Sequence, residues 1–497
     1  MLVVCAIPLL YLEVTMGQVM HCGPVAAFSK LCPLLQGTGL AIVVLSFLFV
    51  TYYNVILAWA LYYVSKSLQN PLPWGSCDQL WAGPNCWHSN GDNTSTTRPN
   101  ESVAPSQEFF ENQVLRQTSS LEDPGSIVWP LAFFLLFSWI LVYLSLWKGI
   151  RLTGKIVYFT ATFPYVVIFL MLVRGITLPG SMKGINFFIN PRWNLLKQPK
   201  TWINAAMQNF NSVGIAFGSM MTFASYNKKD SNIFRSVMAI CVVNSATSII
   251  AGFAVFSILG NIALNQGQDI KDVVTEGPGL VFIVYPAAFS AMPAGLSQLF
   301  SILFFLMLTC LAIDSQFASV EVVVTAIEDS LGKRTLKTRY KKEFLVLAVC
   351  GICFLLGLPY VTNGGIYYFK LVDYYSSGLS NMLIALFEAI AIIWCYGALK
   401  MVSHTGQMTG VVTSRVLRWY LVPCWYVLVP VFITAIMIFN WVQYRPVTYG
   451  KYTFPDYAEG IGWGIAGLSI ICIPLGMIRG MLNTPGDSLY QVRKVKG

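Results

Sequence analysis

The sequence predicts an all-α integral membrane protein, a single-domain bundle of about eleven transmembrane helices over residues 1–497. Three observations predict it. First, 56% of the 497 residues are hydrophobic, 11% are charged, and the mean hydropathy is +0.61. Soluble domains carry roughly 25% charged residues, so most of this surface faces lipid rather than water. Second, apolar runs of about 20 residues, enough to cross the hydrocarbon core, recur along the whole chain. Third, the basic residues that give a net charge of +10 sit in short loops between those runs, the pattern of cytoplasmic loops in membrane proteins.

The runs lie near 1–21, 36–65, 126–147, 155–175, 205–226, 233–264, 295–327, 343–359, 366–400, 417–441 and 459–482. Lys148, Arg151 and Lys155 share one loop, and Lys228, Lys229 and Arg235 another. Lys333, Arg334, Lys337, Arg339, Lys341 and Lys342 crowd a third. All three fall on one side of the predicted bundle, which the charge bias makes cytoplasmic. The segment 66–125 is then a large extracellular loop, and 483–497 a cytoplasmic tail. Two glycosylation sequons, at Asn93 and Asn100, lie in that outer loop beside Cys77 and Cys86. The sequons fit only an extracellular or lumenal face, and the cysteines have an oxidising compartment in which to form a disulfide. The other ten cysteines lie mostly in spans and read as small core residues. This orientation places Met1 outside with no basic flank. A further helix before Met1 would resolve that, and it is the expectation adopted here.

Several function classes are excluded by composition. Basic residues confined to short loops do not form a nucleic-acid-binding face. His21, His88 and His404 are far apart and lack metal-ligand spacing. No nucleophile triad, phosphate loop or paired-carboxylate site supports an enzyme. A channel needs a continuous polar stripe, whereas the polar residues here gather in separate clusters that suit an occluded site.

One cluster is the span 205–226. It holds Gln208, Asn209, Asn211, Ser212, Gly214, Gly218, Ser219, Thr222 and Ser225. Polar groups at membrane depth are costly unless they meet a cavity, an ion or each other. Gly214 and Gly218 weaken the helix where these groups concentrate. The span therefore reads as an interrupted helix, whose free carbonyls and amides bind ions and solute. In inverted-repeat transporters such a helix opens each half. Four spans precede it here instead of five, which again points to one absent N-terminal span. Asp314 stands out separately, as an acid inside an apolar run.

The motifs resemble the neurotransmitter:sodium symporter family nearly end to end. They include YLEVTMGQ (Tyr11 to Gln18), YYNVILAWALYYV (Tyr52 to Val64), LPGSMKG (Leu178 to Gly184), FASYN (Phe223 to Asn227), GPGLVFIVYP (Gly277 to Pro286), IDSQF (Ile313 to Phe317) and TNGGIYYFKLVDYYSSG (Thr362 to Gly378). The resemblance implies an inverted-repeat bundle from which the first family helix is missing. It implies sodium and chloride as co-transported ions, a small-molecule substrate and a multi-pass plasma-membrane location. Chloride would lie among Gln208, Ser212, Asn244 and Ser248. One sodium would use Ser212 and Asn244, the other the Leu311 carbonyl, Asp314 and Ser315; hard oxygen ligands suit hard cations. The substrate would meet Phe49, Tyr53, Asn211, Gly214, Phe217, Ser315 and Gln316, with Tyr53 donating to a carboxylate. Asp373 matches an outer-gate acid whose arginine lies on the absent helix, so an unpaired Asp373 is expected.

Some positions depart from the family pattern. Asn211 stands where an aromatic lid is common, and Asn204, Ser236 and Ala287 stand where acids are. VTNGGIYYFKLVDYYSSG and RPVTYGKYTFP look most like glycine transporters, and IDSQF like GABA, taurine and creatine transporters. The expected function is sodium- and chloride-coupled symport of a small amino acid or neurotransmitter. The alternatives are a monoamine symporter and a truncated, transport-incompetent form.

Overall fold

The computed structural model describes residues 1–87, 102–148, 150–273, 277–293, 295–331, 339–409, 415–442, 444, 446–450 and 452–483. Asn93 and Asn100 lie outside these residues, as do Lys333, Arg334, Lys337 and all but the first residue of the 483–497 tail.

Among the described residues ten helices are long and apolar enough to cross a membrane. In chain order, with the halves of the interrupted helix included, they are α1 (Leu2–Met20), α2 (Pro33–Lys66), α3 (Trp129–Leu146) and α4 (Thr153–Thr177), α5 (Pro199–Val213) and α6 (Ser219–Ala224), then α7 (Ile233–Gln266), α8 (Leu296–Leu331), α9 (Lys342–Val361), α10 (Asn381–Ser403), α11 (Leu417–Val442) and α12 (Asp456–Leu482). The fifth predicted run, 205–226, is the one missing from the ten, because it is broken into α5 and α6. The run at 366–400 is also less regular than its apolar pattern. Helix Gly365–Tyr374 passes through a widened π turn, Tyr375–Ser380, before α10 begins.

The outer surface follows from the solvent it meets. On α3, Phe133, Leu136, Phe137, Ile140 and Leu144 are all exposed, at helical spacing along one stripe. In water such a stripe would be a liability; in a bilayer it is the face that lipid covers. The opposite face packs inward through Leu131, Leu135, Trp139 and Val142.

The described segments of the long loop after α2 are folded onto the bundle. Its segments Pro105–Glu108 and Phe109–Leu115 bury Phe109, Phe110, Val114 and Leu115. Trp74 and Phe109 pack on Tyr63, each with ring centres near 5.5 Å or closer. Cys77 and Cys86 are disulfide-bonded, with Cα atoms 5.8 Å apart. A short antiparallel pair, β1 (Thr448–Tyr449) and β2 (Tyr452–Thr453), closes the same end; the Tyr452 ring packs at a tilt against Tyr367, with centres 4.7 Å apart.

Small residues set how closely α1 approaches the interrupted helix. A Cβ on Gly17 would sit 2.1 Å from the Met221 carbonyl oxygen of α6. Backbone cannot yield there as a flexible side chain can. Gly17→Val should therefore displace α1 from α6 and cost about 1–3 kcal/mol of overpacking strain. Fluorescence-detected size exclusion in detergent should show loss of the monodisperse peak; an unchanged peak and melting temperature would contradict this.

At the end predicted to be cytoplasmic, charged and polar groups tie several helices together. Lys342 Nζ lies 3.5 Å from Glu321 and 3.3 Å from Glu328. The Tyr226 hydroxyl donates to Glu321 at 3.1 Å, so one buried carboxylate joins the segment after α6 to α8 and α9. Asp329 accepts from the Gly23 amide at 2.7 Å.

Candidate functional site

The site is organised by the break between α5 and α6. α5 ends at Val213, and the chain runs non-helically through residues 214–218 before α6 starts. Gly214 and Gly218 take φ of +76° and +72°, which glycine adopts without a Cβ penalty. Ala216 also lies at φ +64°, where a non-glycine residue costs about 1–3 kcal/mol. Something must hold it there.

Two side chains do. Glu13 of α1, buried at 1% exposure, accepts from the Ala216 amide at 2.7 Å. Ser46 of α2 donates to the Phe217 carbonyl at 2.6 Å. The break is thus pinned from both sides by partners 203 and 171 residues away in sequence. Glu13 is an acid in an apolar run, and nothing local in the sequence reveals its partner. Ser46 carried no signal.

Ser212, in the last turn of α5, meets Asn244 of α7. The Asn244 Nδ2 lies 2.9 Å from the Ser212 hydroxyl, and that hydroxyl lies 3.1 Å from Asn244 Oδ1. Both predicted ligands of the first sodium are therefore in contact. Gln208 and Ser248 stand one helical turn from them on the same faces, i and i+4. The Ser248 hydroxyl donates to the Asn244 carbonyl at 2.9 Å. Three of the four predicted chloride residues, Ser212, Asn244 and Ser248, are thus in direct contact, and Gln208, which is exposed, joins them by helical register.

From the break, an aromatic wall runs to α8. Phe217 packs edge-on to Phe49 of α2 at 5.3 Å, and Phe49 stacks on Tyr53 at 4.6 Å. The Tyr53 hydroxyl neighbours the Ser315 side chain of α8. Gln316 is buried, with its amide reaching the Val50 carbonyl of α2 at 3.5 Å. Asn211 faces the Asn381 amide at 3.5 Å. A Cβ on Gly214 would meet only the Ser219 hydroxyl, at 3.6 Å, so the space beside the break is open.

On α8, the Ser315 hydroxyl lies 3.3 Å from the Leu311 carbonyl, bringing two predicted ligands of the second sodium into one turn. The third, Asp314, accepts from the Thr160 hydroxyl of α4 at 2.6 Å. Thr160 was not singled out from sequence. The contacts form an unbroken path: Asn244, Ser212, the break, Phe217, Phe49, Tyr53, Ser315 and its neighbour Asp314. Oxygen donors occupy both ends and aromatic faces the middle.

The expectation of an unpaired Asp373 is not met. It interacts with Tyr52 and has Lys370 as a neighbouring positive charge.

The family described as the Sodium:neurotransmitter symporter family matches residues 1–484. The chain belongs to the sodium:neurotransmitter symporter family. It is 44% identical over 492 residues to the Drosophila melanogaster sodium- and chloride-dependent GABA transporter ine, covering 99% of this chain and 52% of that protein. It is 41% identical over 499 residues to the Bos taurus sodium- and chloride-dependent taurine transporter, covering 98% of this chain and 78% of that one. It is 39% identical over 496 residues to the Rattus norvegicus sodium- and chloride-dependent GABA transporter 2, covering 99% and 79%. The chain thus spans about half the length of the Drosophila relative and about four fifths of the mammalian ones. As a member of this symporter family it is a multi-pass membrane transporter rather than an enzyme.

Proposed function

We propose that this symporter carries a small zwitterionic amino acid of the GABA or taurine kind across the plasma membrane, coupled to sodium and chloride. The observation that supports it best is the path of contacts from Asn244 to Asp314. It joins two sets of oxygen donors through an aromatic wall that can enclose a solute's methylene groups.

Each part has a physical task. The Ser212 and Asn244 oxygens and the Leu311, Asp314 and Ser315 oxygens are hard donors of the kind that replace water around a small cation. Gln208 and Ser248 present an amide and a hydroxyl suited to chloride, which balances the sodium charge at low dielectric cost. The carbonyl end of α5 carries partial negative charge at the gap. That charge, together with Asp314, favours sodium, and bound sodium then favours the substrate's carboxylate or sulfonate. This reciprocity of binding energies is the coupling. Phe217 and Phe49 exclude water, and Tyr53 is the donor for the substrate's acidic group. Asp373, beside Tyr52 on the outer side, is suited to gating access.

Tyr53→Phe should raise the substrate KM about tenfold, the loss expected when a hydrogen bond to a charged group is removed at about 1.5 kcal/mol. Uptake of labelled substrate against its concentration measures this; an unchanged KM would contradict it. The reading as a whole is tested by uptake of labelled GABA, taurine, glycine and serotonin by cells expressing the full-length protein. Sodium- and chloride-dependent accumulation of GABA or taurine is expected. Accumulation of serotonin alone, or none that depends on sodium, would overturn it.

A further inference from the structure

Thr160 makes a contact that the ion site does not obviously require. It lies in α4, is 6% exposed, and reaches across the helix interface to Asp314. Its hydroxyl has one proton and two acceptors in range: the Ile156 carbonyl at 3.2 Å, on its own helix, and Asp314 Oδ1 at 2.6 Å. The second distance falls in the range of charge-assisted O–H···O⁻ bonds, which are about twice as strong as neutral ones. The proton therefore goes to Asp314.

The consequence concerns where the carboxylate points. The terminal torsion of an aspartate is broad and two-fold, so an unsupported Asp314 would sample many orientations. A carboxylate has about four lone-pair positions. The Thr160 hydroxyl occupies one of those on Oδ1 and leaves Oδ2 free. It orients the group without blocking it. The same residue marks the weak point of α4. Pro164 lies inside this helix and has no N–H, so the Thr160 carbonyl lacks its i+4 donor.

We propose that Thr160 is a positioning residue for the sodium site, holding Asp314 toward the ion. This rests on the assignment of Asp314 to sodium made above. Loss of a partner that orients a metal ligand typically costs 10–100-fold in affinity. The hydroxyl's role thus shows in the sodium dependence and leaves the substrate contacts untouched.

The test compares Thr160→Val, Thr160→Ala and Thr160→Ser with Asp314→Asn in the full-length protein. Two readouts are needed: sodium dependence of uptake, and sodium-dependent hydrogen exchange over residues 153–168 of purified protein. Thr160→Val and Thr160→Ala should raise the half-maximal sodium concentration about tenfold in both, with substrate KM at saturating sodium unchanged. Thr160→Ser should restore the original curve. Sodium curves for Val and Ala that superimpose on wild type, while Asp314→Asn loses its response, would overturn the positioning role alone. A sodium response retained in Asp314→Asn would remove the assignment on which it rests. If Val and Ala fail to fold while Ser folds, the hydroxyl serves bundle stability and the proposal is likewise overturned.

Discussion

Asp314→Asn is expected to abolish sodium-driven uptake while leaving the protein folded and at the cell surface. The argument starts from position. Asp314 is an acid in the middle of a 36-residue apolar helix, where a charge survives only with an ion or a partner. Its described hydrogen-bond partner is a neutral hydroxyl, Thr160, which offsets part of the charge and cannot neutralise it. The Leu311 carbonyl and Ser315 hydroxyl lie in the same turn, 3.3 Å apart, and are the other oxygens proposed above as sodium ligands. Asparagine keeps the shape and one oxygen but removes the full charge. The loss should exceed the roughly 10–100-fold that follows removal of a merely supporting group. Surface labelling alongside uptake against sodium concentration separates failure of transport from failure of folding. A variant with normal surface level and an unshifted sodium curve would contradict the assignment.

The second large effect is expected at Glu13. Its carboxylate accepts from the Ala216 amide at 2.7 Å in a fully buried setting. Alanine at this position leaves that N–H without a partner. A buried amide so abandoned costs about 1–3 kcal/mol, more when the lost partner is charged. It also removes what holds Ala216 in a left-handed conformation that itself costs about 1–3 kcal/mol. The break between α5 and α6 should then collapse or shift, moving Ser212 and Phe217 together. Glu13→Ala is expected to lower the melting temperature and eliminate uptake. Glu13→Gln keeps an acceptor oxygen and should retain most of the stability. Equal loss in both variants would show that the charge, rather than the acceptor, is what matters there.

These two residues also show what could be read before the fold was known. Asp314 and the polar run from Gln208 to Ser225 violate the rule that lipid-facing helices are apolar, so the sequence marks them directly. The interruption was legible too, because Gly214 and Gly218 fall among those polar residues. The supporting contacts were not. Ser46, Glu13 and Thr160 act on residues 171, 203 and 154 positions away, and no local pattern encodes such pairs. Asp373 makes the same point in reverse. Its partner Tyr52 is an aromatic residue in a helix, and aromatics there pass for packing. Span boundaries were legible to within a few residues where the apolar run was continuous, as at 233–264. They were less so at 366–400, where π turns at Tyr375–Ser380 and Ile390–Gly397 interrupt the helix, the second without any loss of apolar character.

Much of the surrounding architecture serves to keep these long-range pairs in register. Gly17 lets α1 approach α6 closely enough for Glu13 to reach Ala216. Gly218 does the same from the other side: a Cβ there would sit 2.5 Å from Ile42 of α2, the helix that also carries Ser46. Close packing and an unwound strand of backbone are therefore parts of one arrangement.

A density map of the full-length protein in sodium chloride with bound substrate bears most directly on the central idea. Ion density is expected at two places, one against the Ser212 and Asn244 oxygens and one against Asp314 and Ser315, with the solute between Phe217, Phe49 and Tyr53. Ions bound elsewhere, with Asp314 turned away toward lipid, would contradict it.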